Sequence, residues 1–450
     1  MPSPTVIIIG AGPGGYAAAL AVAQRGFSVT LVERDATGGT CLNRGCIPSK
    51  FFLSRGKESA GAAQPLAELA AKKDAILTTL RQRMDQAAKS AKIQRVAGTA
   101  RFTGPHTIEV SGAEGKTPFT ADFFILATGT LPAKPAIFPT HPAIYDSTTF
   151  LSLAKKPGRL VVVGGGYIGC ELACAFHGLG SQVTLIEKKP GLLAMQPEFA
   201  AAAGVLQRAF LKRGITLQME TEVKTVQPLN DREITLTLAN GATLTADAVL
   251  LAIGRRPDVE NLNLAAAGLT AGPRLTVNAA QQTTVPHIYA IGDLVSPLPL
   301  AHTAAKEAEL AVAHLAGEKT EPLDYARIPR CIYTWPEAAA VGQSETEAQA
   351  AGYKTRLDRY HFAASAKAMV EGDTEGFWAI TSDAGTGKIL GAVIIGAHAT
   401  ELIHLVALSL KAGFATTDIA DIVFAHPSLA EGFHEAMKRA QLTLPPVKHG

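Results

Sequence analysis

Two similar segments in the first half of the chain constrain its fold more than any other feature. Thr5 to Asp35 reads TVIIIGAGPGGYAAALAVAQRGFSVTLVERD, and Leu160 to Lys189 reads LVVVGGGYIGCELACAFHGLGSQVTLIEKK. In both, an apolar run leads into G-x-G-x-x-G and an Ala-rich stretch. An acid, Glu33 or Glu187, then stands 23 positions after the first glycine. This pattern predicts the same βαβ unit made twice.

Each unit has the features that bind a dinucleotide. The first glycine allows a tight turn, the second lets backbone approach a pyrophosphate, and the third lets the helix pack closely on the strand. The helix N-terminus offers free N–H groups to the phosphates, and the distal acid accepts a bond from a ribose hydroxyl. The motif glycines are Gly10, Gly12 and Gly15 in the first copy and Gly164, Gly166 and Gly169 in the second.

The rest of the chain predicts further α/β structure and a separate C-terminal domain. Phe123 to Gly129, Ala248 to Gly254 and Ile288 to Asp293 are apolar runs ending at glycine or just after it. We expect these strands to bring loops to the carboxyl edge of a sheet, where ligands bind in open α/β folds. After Arg330, residues 360–371 and 376–396 have the pattern of strands and turns, and two helices follow at 401–413 and 431–442. This order of predicted strands followed by helices indicates an α+β domain.

Composition excludes several classes of function. Hydrophobic residues make up 47% of the 450 residues and charged residues 18%, which favours a large packed core. The net charge of +3 is small and the basic residues are scattered, so neither nucleic acid nor a membrane is expected as a partner. Five cysteines are too few for a secreted disulfide framework. With no targeting pattern at the N-terminus, we expect a cytoplasmic, reducing setting, where a disulfide is more often catalytic than structural.

Two cysteines lie just after the first βαβ unit. The segment GGTCLNRGCIPSK places Cys41 and Cys46 where they can occupy successive turns of a helix start, within disulfide reach. A structural disulfide closing so short a loop would gain little chain entropy, so a redox role explains the spacing better. A metal site would need more Cys or His at matching spacing, and none is near; no metal is predicted. Two unrelated buried cysteines are the remaining alternative.

With these motifs in place, the whole chain resembles the flavin-dependent pyridine nucleotide–disulfide oxidoreductases. GGTCLNRGCIPSK is similar to the active-site segment of the dihydrolipoamide dehydrogenases within that family, although Arg44 departs from the small apolar residue usual there. The resemblance implies that Cys41 is the interchange thiol that attacks the substrate disulfide. It also implies that Cys46 is the thiolate lying against the flavin, and that Lys50 sits near the flavin and pairs with Glu171.

The C-terminal segment AHPSLAE resembles the family's His-Pro-Thr-x-x-Glu motif, with Ser428 in place of Thr. The resemblance implies that His426 shuttles a proton to and from the substrate thiol, and that Glu431 orients the imidazole. Since the family supplies this base from the partner subunit, it also implies a homodimer with a C-terminal dimerisation domain. Without the resemblance, a His-Pro pair before a helix would more often be a plain turn.

The resemblance assigns FAD to the first unit and NAD to the second. The expected FAD contacts are Gly10, Gly12, Gly14, Gly15, Glu33, Arg34, Thr40, Lys50, Thr128, Gly129, Gly292, Asp293 and Ala301. The expected NAD contacts are Gly164, Gly166, Tyr167, Ile168, Gly169, Glu187 and Gly254. Tyr167 is either a gate over the nicotinamide pocket or a packed turn aromatic. Glu187 would repel a 2′-phosphate, but Lys188 and Lys189 follow it and leave NADP use open.

These assignments predict four segments and one activity. Residues 1–145 and 269–327 would form the FAD-binding domain, 146–268 the NAD-binding domain and 328–450 the dimerisation domain. The implied activity is the oxidation of protein-bound dihydrolipoamide with hydride transfer to NAD+. Its partner would be a lipoylated protein of a 2-oxoacid dehydrogenase complex or of the glycine cleavage system. The alternatives are another disulfide reductase of the family, similar to glutathione reductase, or a flavin-binding NADH sensor without turnover.

Overall fold

The computed structural model describes residues 3–59, 65–270, 272 and 274–441. Up to residue 132 the elements are β1 (Thr5–Ile9), α1 (Pro13–Gln24), β2 (Ser28–Glu33), α2 (Gly39–Arg44), α3 (Cys46–Ser59), α4 (Leu66–Ser90), β3 (Gln94–Ala97), β4 (Thr99–Gly104), β5 (Thr107–Gly112), β6 (Gly115–Thr120), β7 (Phe123–Leu126) and β8 (Thr130–Pro132). From 144 to 257 they are β9 (Ile144–Asp146), β10 (Arg159–Val163), α5 (Tyr167–Gly178), β11 (Gln182–Ile186), α6 (Ala200–Arg213), β12 (Thr216–Gln218), β13 (Val223–Asn230), β14 (Glu233–Leu238), β15 (Thr243–Ala246), β16 (Ala248–Leu251) and β17 (Arg255–Pro257).

The remaining elements complete the chain. They are β18 (Ile288–Ala290), α7 (Ala301–Leu315), β19 (Arg330–Ile332), β20 (Glu337–Gly342), α8 (Glu345–Ala350), β21 (Thr355–His361), α9 (Ala366–Glu371), β22 (Phe377–Asp383), β23 (Ile389–Gly396), α10 (Ala399–Ala412), α11 (Thr416–Ala420) and α12 (Glu431–Gln441). No helix among these ranges is long and apolar enough to cross a bilayer.

The first glycine motif lies at the carboxyl end of the central strand of a parallel sheet. Its strand order is β18-β7-β1-β2-β3. Strand β1 is apolar on both faces because both are covered. Val6 and Ile8 pack in the cluster formed with α1 and α7, whereas Ile7 and Ile9 pack in the cluster formed with the antiparallel sheet β4-β5-β6.

The second glycine motif repeats this arrangement. Strands β12-β11-β10-β16-β9 form another parallel sheet with β10 at its centre. Leu160 and Val162 face the cluster that includes α5, and Val161 and Val163 face the antiparallel sheet β13-β14-β15. The repeat seen in the sequence is therefore a repeat of structure, and the predicted α/β class with two Rossmann-like units is confirmed.

The C-terminal part is an antiparallel sheet covered by helices, as its α+β texture predicted. The strand order is β19-β20-β23-β22-β21, and α10 and α12 share its core with Trp378. One local interpretation was wrong, because residues 366–371 form helix α9 rather than strand or turn. Ser365 begins this helix by accepting the Ala368 N–H, a cap the strand interpretation overlooked. Helix α12 covers the predicted helix 431–442 up to Gln441, and Leu442 lies outside the described residues.

Candidate redox and dinucleotide site

One large cavity, of about 1020 Å³, lies between the carboxyl ends of the two parallel sheets. Both glycine turns, both distal acids and the cysteine segment line it. All the predicted cofactor contacts border this cavity except Gly15 and Gly169, which pack behind the turns. The predicted base, His426 with Glu431, lies outside the cavity of its own chain. The sequence repeat thus folds into two halves of one site.

The two glycine turns have the same geometry. A Cβ at Gly15 would lie 1.8 Å from the carbonyl oxygen of Gly10, and a Cβ at Gly169 would lie 1.8 Å from that of Gly164. Only glycine therefore lets each helix pack against its turn. By contrast, a Cβ at Gly12 or at the matching second glycine of the other motif would meet no atom within 4 Å. That open side borders the cavity and leaves room for a pyrophosphate.

Backbone amides hold the two distal acids at the cavity wall. One oxygen of Glu33 accepts the Ala11 N–H at 2.7 Å, and one oxygen of Glu187 accepts the Gly165 N–H at 2.6 Å. The other oxygen of each accepts the amide two positions further along the chain, at 2.9 and 2.8 Å. Burial raises the pKa of Glu33 although these hydrogen bonds oppose the rise. Both carboxylates are therefore fixed where the ribose of a dinucleotide would lie.

The cysteine pair is divided between two helices. Cys41 lies in α2 and Cys46 begins α3, with Gly45 between them, so the prediction of successive turns of one helix was wrong. Gly45 adopts a non-helical conformation at the break, with φ −144° and ψ −108°, and a Cβ there would lie 2.9 Å from the carbonyl oxygen of Thr40, which favours glycine at this position. Both cysteines are free thiols, half-buried at the cavity wall.

Electrostatics make the two thiols unequal. A hydrogen bond between the side chains raises the pKa of Cys41, which burial raises further, and it lowers the pKa of Cys46. The ammonium group of Lys50 lowers the pKa of Cys46 as well. Cys46 is therefore the group that carries the thiolate, and Cys41 is the thiol that donates to it.

An ion pair with the buried Glu171 holds the half-buried Lys50 beside the cysteines. Its Nζ lies 2.7 Å from Glu171 Oε2 and 4.5 Å from the centre of the Tyr333 ring. Burial opposes the charge on Lys50, but Glu171 and the two thiols raise its pKa overall. The other oxygen of Glu171 accepts the Tyr333 N–H at 3.1 Å, so this acid also ties α5 to the C-terminal sheet.

Arg255 is a cavity residue that sequence analysis missed. Its Nε donates to Thr130 Oγ1 at 2.8 Å and its Nη2 to the Thr130 carbonyl at 2.7 Å. Burial lowers the pKa of Arg255 and raises that of Asp293, while each charge favours the other. The signal was a charged residue directly after Gly254, at the end of an apolar strand.

Arg34, Thr128 and Arg44 also find partners at the cavity. Arg34 pairs with the buried carboxylate of Asp258. The hydroxyl of Thr128 donates a hydrogen bond to the backbone carbonyl of the same Asp258 at 2.7 Å. Arg44, the residue unusual between two such cysteines, pairs with Asp35. Asp258 is a second cavity residue that no sequence pattern singles out, because its partner is 224 positions away.

Tyr167 is anchored at the cavity edge. Its Oη donates to Glu198 Oε1 at 2.9 Å, and its ring meets Phe199 edge-on with centroids 5.8 Å apart. Glu198 in turn lies 3.5 Å from Arg330 Nε. Tyr167 thus packs as a turn aromatic while bordering the cavity, and its role as a gate stays a prediction.

His426 and Glu431 form an acid–imidazole pair on the surface. Nδ1 of His426 lies 2.9 Å from Glu431 Oε1, and the Ser428 N–H donates to Glu431 Oε2 at 2.7 Å. That N–H and the imidazole lower the pKa of Glu431. The His426 side chain is 72% exposed, with Val423 nearby in the chain 94% exposed.

Within the described residues, no group of three or more Cys, His, Asp or Glu is placed to hold a metal.

Comparison with known proteins covers nearly the whole chain. The family model described as pyridine nucleotide-disulphide oxidoreductase matches residues 4–308, and the model of that family's dimerisation domain matches residues 328–437. The chain is 38% identical to the dihydrolipoyl dehydrogenase of Thermus scotoductus, over 96% of each chain. It is 36% identical to that of Chlamydia trachomatis, over 98% of each chain.

Solved structures give the same result. The crystal structure of LpdA from Mycobacterium tuberculosis superimposes with a TM-score of 0.90 at 28% identity, covering 97% of this chain and 99% of that one. The match therefore includes both parallel sheets and the C-terminal sheet.

Proposed function

Because the chain belongs to the pyridine nucleotide-disulphide oxidoreductase family, we propose that it oxidises protein-bound dihydrolipoamide to lipoamide and passes the electrons to NAD+. The observation that carries the proposal is the asymmetric thiol pair in the wall of one cavity that both dinucleotide-type units line. Cys46 holds the charge, Cys41 holds the proton, and Lys50 stands beside them.

The residues present fit FAD in the first unit and NAD in the second. Each unit offers an open second glycine and a helix N-terminus for a pyrophosphate, and a fixed carboxylate for a ribose. When bound, FAD accepts two electrons from thiols on one side, and NAD+ takes up a hydride on the other. We assign FAD to the unit that adjoins Cys46, and NAD to the unit that carries Tyr167.

Thiol exchange falls to this chain's cysteines and its histidine. His426 takes the proton of one substrate thiol, and the resulting thiolate attacks Sγ of Cys41 in the Cys41–Cys46 disulfide. A substrate–Cys41 disulfide forms and Cys46 leaves as a thiolate. The second substrate thiol then attacks the substrate sulfur of the mixed disulfide and gives its proton to the departing Cys41. This step releases lipoamide and leaves Cys41 as a thiol, Cys46 as a thiolate and His426 as the imidazolium.

Neighbouring charges favour this sequence of steps. Cys46 is a good leaving group because the Lys50 ammonium stabilises its thiolate, and the Cys41 thiol adds a hydrogen bond once lipoamide has left. Glu171 keeps Lys50 charged and in place. Glu431 holds the imidazole of His426 by Nδ1, which leaves Nε2 for the substrate proton.

A homodimer would bring His426 of one subunit to the cysteines of the other. His426 lies outside the cavity of its own chain and is exposed beside apolar surface, as expected of a base that serves the partner's cysteines. The dimerisation domain supports this arrangement. The lipoylated protein that delivers the substrate, the cytoplasmic setting and the domain boundaries given above stay predictions.

Parallel steady-state assays test the proposal. FAD-loaded protein should turn over dihydrolipoamide with NAD+ faster than with NADP+, and it should leave glutathione disulfide with NADPH nearly untouched. Robust reduction of glutathione disulfide would overturn the substrate assignment in favour of the other reductases of the family. Flavin that NADH fails to bleach would instead support a sensor without turnover.

A further inference from the structure

The entrance to the second dinucleotide unit is ringed by charges of both signs. Glu187, Lys188, Lys189, Thr221 and Glu222 border the cavity there. The Thr221 N–H donates to the Glu187 carbonyl at 3.2 Å, which brings the start of β13 against the loop that carries the acid. The adenosine end of a bound nucleotide would lie at this rim, since the distal acid marks the ribose.

Thr221 lies at this rim, beside Glu222 in the chain and hydrogen-bonded through its backbone to Glu187. Its side chain is buried, and its Oγ1 has no hydrogen-bond partner in the described part of the chain.

The lysine after Glu187 could in principle attract a 2′-phosphate, but it is engaged elsewhere. Lys188 Nζ lies 2.7 Å from Glu222 Oε2, and Lys224 Nζ lies 2.9 Å from Glu222 Oε1. These two amines lower the pKa of Glu222 to about 2, so the carboxylate stays charged at any physiological pH. One acid thus holds two lysines at the edge of the site.

We propose that Glu222 is a positioning residue that sets the preference of this site for a 2′-hydroxyl over a 2′-phosphate. It acts by holding the Lys188 amine away from the ribose 2′ position. A phosphate at that position would meet the carboxylate of Glu187 and a Lys188 amine already paired with Glu222, whereas a hydroxyl would be indifferent to both. The inference rests on the proposed assignment of the second unit to an adenine dinucleotide.

Two nucleotides that differ only in the 2′-phosphate provide the test. Isothermal titration of FAD-loaded protein gives the Kd of adenosine 2′,5′-bisphosphate and of 5′-AMP. In the Glu222→Gln variant, the Kd of the bisphosphate should fall about fivefold to tenfold, the size expected for one unit charge near a partly solvated phosphate. The Kd of 5′-AMP should change less than twofold, and the gain should shrink at high salt.

Two further variants show whether Lys188 carries the effect. Adding Lys188→Ala to Glu222→Gln should remove most of the gain. Glu109→Gln is the matched control, because it removes a surface carboxylate that holds Lys116 at 2.8 Å in another sheet. It should leave both dissociation constants unchanged.

The outcomes separate this inference from the proposed function. An unchanged ratio of the two constants in Glu222→Gln, a gain that survives Lys188→Ala, or an equal loss of affinity for both nucleotides would overturn the role of Glu222. The NADP+ to NAD+ ratio of kcat/KM with dihydrolipoamide should rise by the same factor. Absence of turnover with either dinucleotide would refute the proposed function, while the binding ratio would still decide the inference.

Discussion

Removal of the Cys41 thiol tests the unequal roles of the two cysteines. Cys41→Ala deletes the donor that stabilises the Cys46 thiolate, whereas Cys41→Ser replaces it with a hydroxyl that donates in the same place. Neither variant can form the disulfide, so both isolate the effect of the hydrogen bond on Cys46.

The expected size follows from the charge on the acceptor. A hydrogen bond to an ionised group contributes about 1.5–3 kcal/mol, and 1.4 kcal/mol is a factor of ten in an equilibrium constant. The thiolate-to-thiol ratio of Cys46 should therefore fall about ten- to a hundredfold in Cys41→Ala. In Cys41→Ser it should stay close to that of the parent, because Lys50 and the hydroxyl both remain.

Alkylation by iodoacetamide reads this ratio, since only the thiolate reacts. The rate is followed against pH on FAD-loaded protein, with the Cys41–Cys46 disulfide of the parent reduced beforehand, and the modified peptides are identified by mass spectrometry. In the parent, Cys46 should remain reactive at a lower pH than a free cysteine. Cys331 serves as an internal reference, because burial raises its pKa to about 12 and should keep it unreactive.

Identical pH profiles for Cys46 in the alanine and serine variants would refute the reasoning. They would mean that the hydrogen bond contributes nothing and that another group sets the ionisation of Cys46. A profile in which Cys41 of the parent reacts at lower pH than Cys46 would reverse the assignment of the two thiols.

Three other predictions follow from the same contacts. Gly15→Ala should abolish FAD binding, whereas Gly169→Ala should keep FAD bound and prevent its reduction by NADH. The FAD content of each variant and the bleaching of its flavin by NADH would be measured. The opposite pattern would reverse the assignment of FAD and NAD to the two units. Glu171→Gln leaves the half-buried ammonium group of Lys50 without its counter-charge and should lower the free energy of unfolding by about 1–2 kcal/mol in urea titrations. An unchanged midpoint would show that the ion pair is not needed for stability. Inactive His426→Gln and Cys46→Ser dimers, unfolded together and refolded, should recover about a quarter of the parent activity through mixed dimers. No recovery would place the base and the cysteine of each site in one chain.

Patterns set by local physics were predictable from the sequence. The β1 and β10 units were recognised because a glycine turn, a strand and a distal acid must stand at fixed spacing to bind a dinucleotide. The loops at the carboxyl ends of β7, β16 and β18 were predicted from apolar runs that end at glycine or just beyond it. These features depend on neighbouring residues alone.

Features that depend on tertiary contacts were missed. The break at Gly45 is a non-helical backbone conformation that brings this residue close to the carbonyl oxygen of Thr40, which no spacing reveals. Asp258 and Arg255 became site residues only when the fold brought them to Arg34 and Thr130. The short helix α9 was missed because the serine that caps its N-terminus lies inside a segment whose residue pattern resembles strands and turns.

The central claim is that electrons move between a nucleotide and an outside disulfide by way of Cys41 and Cys46. It is tested most directly by adding NADH, without any thiol reductant, to oxidised FAD-loaded protein under anaerobic conditions and then counting the thiols that appear. The account predicts that these two cysteines, and no others, become newly reactive as the flavin is reduced and reoxidised. Bleaching of the flavin with no change in either cysteine would contradict it.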